Sequence, residues 1–309
     1  MRLRRTRGEP EVEMVAALTD RLAVLLASGV TPHAAWRYMR DFSSDPVLGR
    51  AAAAADEGES VAAAIVRGLD SGLGGGDRAW RGVAAAWFVA TESGAPLAQS
   101  LRGLASAFRS LGQTQRDLEV ALAGPAATAR MVMALPVIGV VFGAVLGFNT
   151  LEILATTVQG LFCLLAGGAL MLLGSRWNRR MLRAAEPRDL TPGLAIELMA
   201  IAMSGGGSIE RARTMVQEAG SRYGVAGGDV ESIDNVLALA QRAGVPASEL
   251  LRSEAEQRRR QARSEGQRGA AALAVRLMIP LGVCVLPAFM LVGVAPLLLA
   301  IVSSTVVTL

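Results

Sequence analysis

The sequence predicts an all-α integral membrane protein with two cytoplasmic helical bundles, a central transmembrane hairpin and a C-terminal transmembrane helix. The first observation is that residues 131–174 carry no charge except Glu152, which gives enough length for two passes through a hydrocarbon layer about 30 Å thick. The second is that no charge follows Arg276. The third is that the remaining segments are charged and show helical periodicity, which is typical of helical bundles in water.

The central stretch 131–174 is predicted to form two spans, Met131–Phe148 and Ile153–Gly174, joined by a short polar turn. Arginines flank both outer ends of this hairpin, and such positive flanks stay in the cytoplasm. These arginines are Arg130 before the first span and Arg176, Arg179, Arg180 and Arg183 after the second. The turn is therefore expected outside, and both soluble regions inside. A buried hairpin in a soluble protein is the alternative.

The composition excludes several functions. The chain contains no lysine, so it cannot contain a Walker A loop of the usual form, whose lysine reaches the phosphates of a nucleotide. A single histidine, His33, supplies neither a zinc site nor a strong general base. Cys163 and Cys284 lie far apart in apolar runs, which argues against a disulfide framework. The pI of about 9.9 follows from arginines beside the spans, so we predict no nucleic-acid binding.

The first soluble region, residues 1–130, is predicted to be a cytoplasmic helical domain. Apolar residues recur every three or four positions from Val15 to Leu25, and Thr31-Pro32 supplies a cap and a first-turn proline for the next helix. A Gly-x-Pro turn at 94–96 precedes a long helix expected to join the first span, with Gly124-Pro125 as a kink. Its apolar seam follows heptad-like spacing: Leu97, Leu101, Leu104, Phe108, Leu111, Leu118 and Leu122.

The second soluble region, residues 175–272, is predicted to repeat this plan. Thr191-Pro192 is expected to open a helix, Ser208 to cap the next, and Ser248–Arg268 to form a long charged helix. The Gly-x-Pro turn recurs at 244–246, and in both copies a leucine lies five residues after the proline. The Leu-Pro of the following apolar run lies 42 and 43 residues after the two glycines. These spacings indicate an internal duplication.

Carboxylates of the second region do not form a recognisable site. Glu254 and Glu256 interleave with arginines, which indicates solvated ion pairs. Asp229, Glu231 and Asp234 lie close together but lack the glycine and terminal glutamate of an EF-hand loop. We therefore predict no catalytic, cofactor-binding or metal-ligating residues, no cofactor, and no enzyme activity.

The final segment, residues 273–309, is predicted to be a single kinked transmembrane helix. It is too long for one straight span and barely long enough for two, and Pro280, Pro287 and Pro296 each remove a backbone hydrogen bond. This gives three spans, with the N-terminus in the cytoplasm and the C-terminus outside. Four spans with both termini inside is the alternative.

The order of several short motifs resembles a known family. Ala-Ser-Gly-Val at 27–30, Gly-Glu-Ser at 58–60, Glu-Ser-Gly-Ala-Pro-Leu at 92–97 and the long helix into a Leu-Pro span resemble the F domain of type II secretion and type IV pilus platform proteins. The stretch 276–296 is similar to the ends of the Tad (Flp) pilus assembly proteins TadB and TadC. The second soluble region departs from this pattern because it is shorter and lacks a clear Gly-Glu-Ser helix.

The resemblance implies a multi-pass platform protein of the inner (cytoplasmic) membrane with F domains in the cytoplasm. Such a platform couples a separate hexameric ATPase to the extraction and polymerisation of pilin-like subunits. It assembles as a homo-oligomer or with a second platform protein. A transporter or export-channel component is one alternative, although the only polar groups near the spans lie around Asn149 and Glu152. A membrane-tethered scaffold is the other.

Overall fold

The computed structural model describes residues 11–69, 74–145, 157–184, 192–225, 230–296 and 298. All regular elements in these ranges are helical. They divide into two compact units. The first contains Met1–Arg116 and Arg188–Ser264, and the second contains Asp117–Pro187 and Glu265–Leu309.

The helices are defined here in chain order, for both units together. They are α1 Glu11–Ala27, α2 Pro32–Phe42, α3 Pro46–Glu57, α4 Val61–Val66, α5 Gly75–Ser93, α6 Leu97–Val145, α7 Val158–Ala184, α8 Leu194–Ser204, α9 Ile209–Tyr223, α10 Val230–Ala243 and α11 Ala247–Arg276. After α11 the chain continues as α12 Met278–Pro280, a π-helical turn Leu281–Val285, α13 Leu286–Phe289 and a π-helical turn Met290–Val294.

Local sequence sets most of the helix starts in the first unit. The Thr31 hydroxyl accepts a hydrogen bond from the Ala34 amide at 3.4 Å, and the Ser208 hydroxyl accepts one from the Arg211 amide at 3.3 Å. Both predicted caps are therefore confirmed. The predicted start at Thr191-Pro192 is wrong: α8 begins at Leu194, because Gly193 has a left-handed φ of +75° that ends the preceding turn.

The two soluble regions share one hydrophobic core in the first unit. The Trp36 and Trp87 rings pack 5.1 Å apart within the first region, and the Phe88 and Tyr223 rings pack 5.6 Å apart across the two regions. The alanine-rich face of α5 lies at the centre, where small side chains let several helices approach closely. The predicted domains 1–130 and 175–272 remain a prediction, but neither buries a separate core among the described residues.

The long helix α6 is uninterrupted through Gly124-Pro125, where a kink was expected. Its seam packs into the core of the first unit from Leu97 to Leu111. Three residues of this stretch are buried: Leu101, Leu104 and Phe108. Further along, the seam residue Leu118 lies beside Gly266 of α11, in the second unit.

The C-terminal segment is an irregular helix as far as it is described, and the single kinked transmembrane helix over residues 273–309 stays a prediction. The first π-helical turn, Leu281–Val285, lies directly before Leu286-Pro287. Pro287 has no amide hydrogen to bond the Val283 carbonyl within that turn, which allows the turn to widen. The predicted hairpin turn after Phe148 lies outside the described residues.

Candidate functional site

Helix α7 of the second unit has an inverted packing pattern, with small residues inside and large apolar residues outside. On α7 the buried glycines Gly160, Gly167 and Gly174 repeat every seven residues and form one seam. The large apolar side chains of the same helix are exposed: Val158, Leu161, Phe162, Leu164, Leu165, Leu172 and Leu173. In water this arrangement is unfavourable, since apolar surface is normally buried.

The glycine seam permits close approach between helices. A Cβ atom on Gly167 would overlap Val292, and one on Gly174 would lie 3.1 Å from the Cys284 Cβ. On α6, a Cβ on Gly139 would lie 3.1 Å from the Phe289 ring. Small residues at helix contacts are typical of bundles in lipid, where van der Waals packing replaces the hydrophobic effect as the force between helices.

Two helical stretches of the described residues are long and apolar enough to cross a membrane. One is Val158–Met181, 24 residues long, whose most apolar 18-residue window has a mean hydropathy of 1.8. The other lies within Ala247–Val294, whose most apolar 18-residue window has a mean hydropathy of 2.4. The predicted span Met131–Phe148 is described only to Val145. Along this part of α6, the side chains of Met131, Ile138 and Phe142 are exposed.

The end of α7 carries a cluster of exposed charge. Arg176, Arg179 and Arg180 follow the apolar stretch, and Trp177 between them is 45% exposed. Arginine and tryptophan together are typical of the level of lipid headgroups. The side chains of the other predicted flanking residues, Arg130 and Arg183, lie outside the part that the structure describes.

In the first unit, the backbone repeats the duplication that the sequence spacing indicated. Gly94 and Gly244, the glycines of the two Gly-x-Pro turns, both adopt left-handed conformations, with φ of +74° and +66°. A second pair, Gly29 and Gly206, also matches, with φ of +86° and +81°. Gly29 lies two residues before the capping residue Thr31, and Gly206 lies two residues before the capping residue Ser208. The two copies therefore use the same two turns.

The duplication extends to a pair of ion pairs. Asp20 lies nine residues before its left-handed glycine and contacts Arg109 at 2.6 Å. Glu197 lies nine residues before the equivalent glycine and contacts Arg259 at 3.2 Å. Both arginines lie fifteen residues after the glycine of their Gly-x-Pro turn. Counting from these glycines would have found both pairs in the sequence.

The two ion pairs differ in burial. The Asp20 and Arg109 side chains are 34% and 52% exposed, whereas those of Glu197 and Arg259 are 4% and 9% exposed. Glu197 lies in α8 within the run of buried residues from Leu194 to Ala202. A Cβ on Gly103 of α6 would lie only 3.0 Å from its Oε1 atom. The second pair therefore holds three helices together around a buried charge.

The two glutamates of α11 that the sequence assigned to ion pairs with neighbouring arginines form those pairs. Glu254 and Glu256 pair with Arg258 and Arg260 at 3.7 and 3.3 Å, one helical turn further along α11. Among the residues described, no group of three metal-ligating side chains comes together. Asp229, one of the three acidic residues considered for a cation, lies outside the described ranges.

Comparison with known proteins gives one match. Residues 18–144 match a family model. That family is type II secretion system (T2SS), protein F. The match runs from α1 to the apolar part of α6, less than half of the chain. It supports the predicted F-type family, while the TadB/TadC-like subfamily stays a prediction. No curated protein and no solved structure matches the chain.

The matched family indicates a class of function. Its members are inner-membrane platform proteins that are generally not enzymes, and they generally interact with secretion ATPases and pilins. The match covers most of the first repeat and the part of α6 that belongs to the second unit. The second repeat is related to it here by the shared turns and ion pairs.

Proposed function

We propose that this protein is an inner-membrane platform of a Tad/type IV pilus or type II secretion-like machine. It would couple a cytoplasmic assembly ATPase to the extraction and polymerisation of pilin-like subunits. The observation that carries this proposal is the match of residues 18–144 to the family of type II secretion system protein F. The matched region joins a helical bundle to an apolar helix, which is the plan that such a platform requires.

Membrane insertion of the second unit is the first part of the proposal. The exposed apolar side chains of α7 would contact lipid, and the glycine seam would contact neighbouring spans. Arg176, Arg179 and Arg180 would stay on the cytoplasmic side. This gives three spans with a cytoplasmic N-terminus. Reporter fusions at Leu309 test the count, because reporter activity in the cytoplasm would contradict three spans.

Force transmission is the second part. The chain lacks the lysine of a Walker A loop, so energy would come from a separate hexameric ATPase. Helices α6 and α11 each begin in the first unit and continue without interruption into the second. A continuous helix resists bending better than a loop, so displacement of the first unit would reach the spans through these two helices.

Deletion of the gene provides the direct test. We expect the deletion strain to lose surface assembly of the cognate pilin-like subunit, and the intact chain to restore it. A shorter deletion that removes only residues 1–120 would be a poor test. The shared core would lose α1 to α5 and unfold, so a loss of assembly would not report on the function of this region. Normal assembly in the deletion strain would contradict the proposal, as would ATP hydrolysis by the purified protein alone.

A further inference from the structure

An open cavity of about 310 Å³, lined by several charged and polar residues, lies at the surface between α6, α8 and α11 of the first unit. Helix α6 contributes Gln99, Arg102 and Ser106, which share one helix face because they are three and four residues apart. Helix α11 contributes Arg252 and Glu256, one turn apart. The Glu197–Arg259 ion pair forms part of the wall. No aromatic or large aliphatic side chain is among the described residues that line it.

The cavity has an excess of positive charge. Arg259 is neutralised by Glu197 at 3.2 Å, and Glu256 is paired with Arg260 at 3.3 Å. Arg102 and Arg252 have no acidic partner among the described residues. Two guanidinium groups therefore line the cavity without a counter-charge.

These two arginines occupy equivalent positions of the duplication. Arg102 lies eight residues after Gly94, and Arg252 lies eight residues after Gly244. Each directly follows a leucine that is fully buried. The buried leucines anchor the two helices in the core, so the next side chain of each helix reaches the same cavity. The duplication thus brings two equivalent cations together in a single site.

We propose that this cavity binds an oxyanion carrying two or more negative charges, either phosphate or carboxylate. Arg102 and Arg252 would provide the charged donors, since the planar guanidinium matches the geometry of both groups. Ser106 and Gln99 would provide neutral donors. The cavity is near the lower end of the roughly 300–1,000 Å³ typical of ligand sites.

Such an oxyanion has two sources, a free phosphate compound or the acidic side chains of a partner protein. Isothermal titration calorimetry on the full chain in detergent separates them, with inorganic pyrophosphate as one probe and a hexaglutamate peptide as the other. We expect saturable binding of at least one probe at low salt. Binding should weaken as salt is raised, because exposed charges are screened.

Substitutions test whether Arg102 and Arg252 bind the probes. We expect the double variant Arg102→Gln/Arg252→Gln to bind about a hundredfold more weakly, since each lost charged hydrogen bond is worth at least roughly a factor of ten. The matched control is Arg37→Gln/Arg211→Gln, which removes two exposed arginines that lie away from the cavity. The exposed Arg102→Gln alone should weaken binding about tenfold without affecting folding.

Each result supports or overturns the inference. Arginine-dependent binding of pyrophosphate supports a free phosphate ligand, and arginine-dependent binding of hexaglutamate alone supports a partner's carboxylates. Failure of both probes to bind, or equal weakening in the control, overturns the proposal. Because the cavity lies wholly in the first unit, this outcome is independent of the proposed platform function.

Discussion

The core of the first unit and helix α7 of the second unit bury different kinds of residue. In the first unit, Trp36, Phe108 and Leu198 are buried, and most charges face outward. In the second, glycines lie at the helix contacts while Phe162 and Leu165 are 69% and 66% exposed. This difference is the one expected if the first unit faces water and α7 faces lipid, as we propose above. Water drives large apolar groups inward, whereas lipid accepts them outside and leaves small residues to bring helices together.

The largest expected effect comes from truncating an aromatic residue in each unit. Phe108→Ala should destabilise the first unit by about 3–5 kcal/mol, because it leaves a cavity in a packed core. Phe162→Ala, on the exposed face of α7, should change stability by no more than about 0.5 kcal/mol. Thermal unfolding in detergent measures both. Equal losses would contradict the inverted packing of the second unit.

Most charges of the first unit face outward, but the Glu197–Arg259 ion pair is buried. Comparing it with the equivalent exposed pair tests what burial contributes. Glu197→Ala should cost about 3–5 kcal/mol, because Arg259 would remain buried without a partner. Asp20→Ala, in the exposed copy, should cost only about 0.2–1 kcal/mol. The double variant Glu197→Ala/Arg259→Leu should recover part of the loss. No recovery would indicate that Glu197 acts through contacts other than this pair.

A charge placed on each surface tests the two solvents directly. Leu165→Arg should reduce membrane insertion, since an arginine near the centre of a span costs about 2.5–3.5 kcal/mol on insertion scales. Val24→Arg, on an exposed site of the first unit, should be nearly neutral. The amount of each variant in washed membranes is the measurement. Full insertion of Leu165→Arg would mean that this face of α7 does not contact lipid.

The smallest effect concerns pH and the core shared by the two regions. Burial raises the pKa of the Tyr223 hydroxyl above its ordinary value of 10.0. Above about pH 10 the unfolded chain loses this proton while the folded chain keeps it, so stability should fall as pH rises. Tyr223→Phe should remove that part of the decline and change little at neutral pH. Unfolding curves from pH 8 to pH 11 compare the two proteins.

Local features of the fold were predictable because they depend on neighbouring residues. The caps Thr31 and Ser208 and the turn glycines Gly94 and Gly244 act within a few residues, and their conformations agree with the sequence. The start of α8 was missed because the left-handed conformation of Gly193 depends on its close approach to Ala255 of α11. That contact joins positions far apart in the chain.

Among the candidate sites, too, the locally determined features were predictable and the contacts between distant segments were not. Arginine beside an apolar run is visible in the sequence, so Arg176, Arg179 and Arg180 were predictable. The pair of Glu197 with Arg259 was missed, because its sequence signal is its position relative to the glycines of the duplication, and no local motif marks it. The cavity between α6 and α11 was also missed, since it requires knowing which faces of two distant helices meet.

The sequence by itself determined the helical class, the apolar stretches, the turn residues and the duplication, because each follows from composition or from spacing along the chain. Only the tertiary structure decided that the two soluble regions share one core, which of the two equivalent ion pairs is buried, and that Arg102 and Arg252 line one cavity. The physical reason is that burial depends on all the neighbours of a side chain, and those neighbours come from segments that are far apart in the chain.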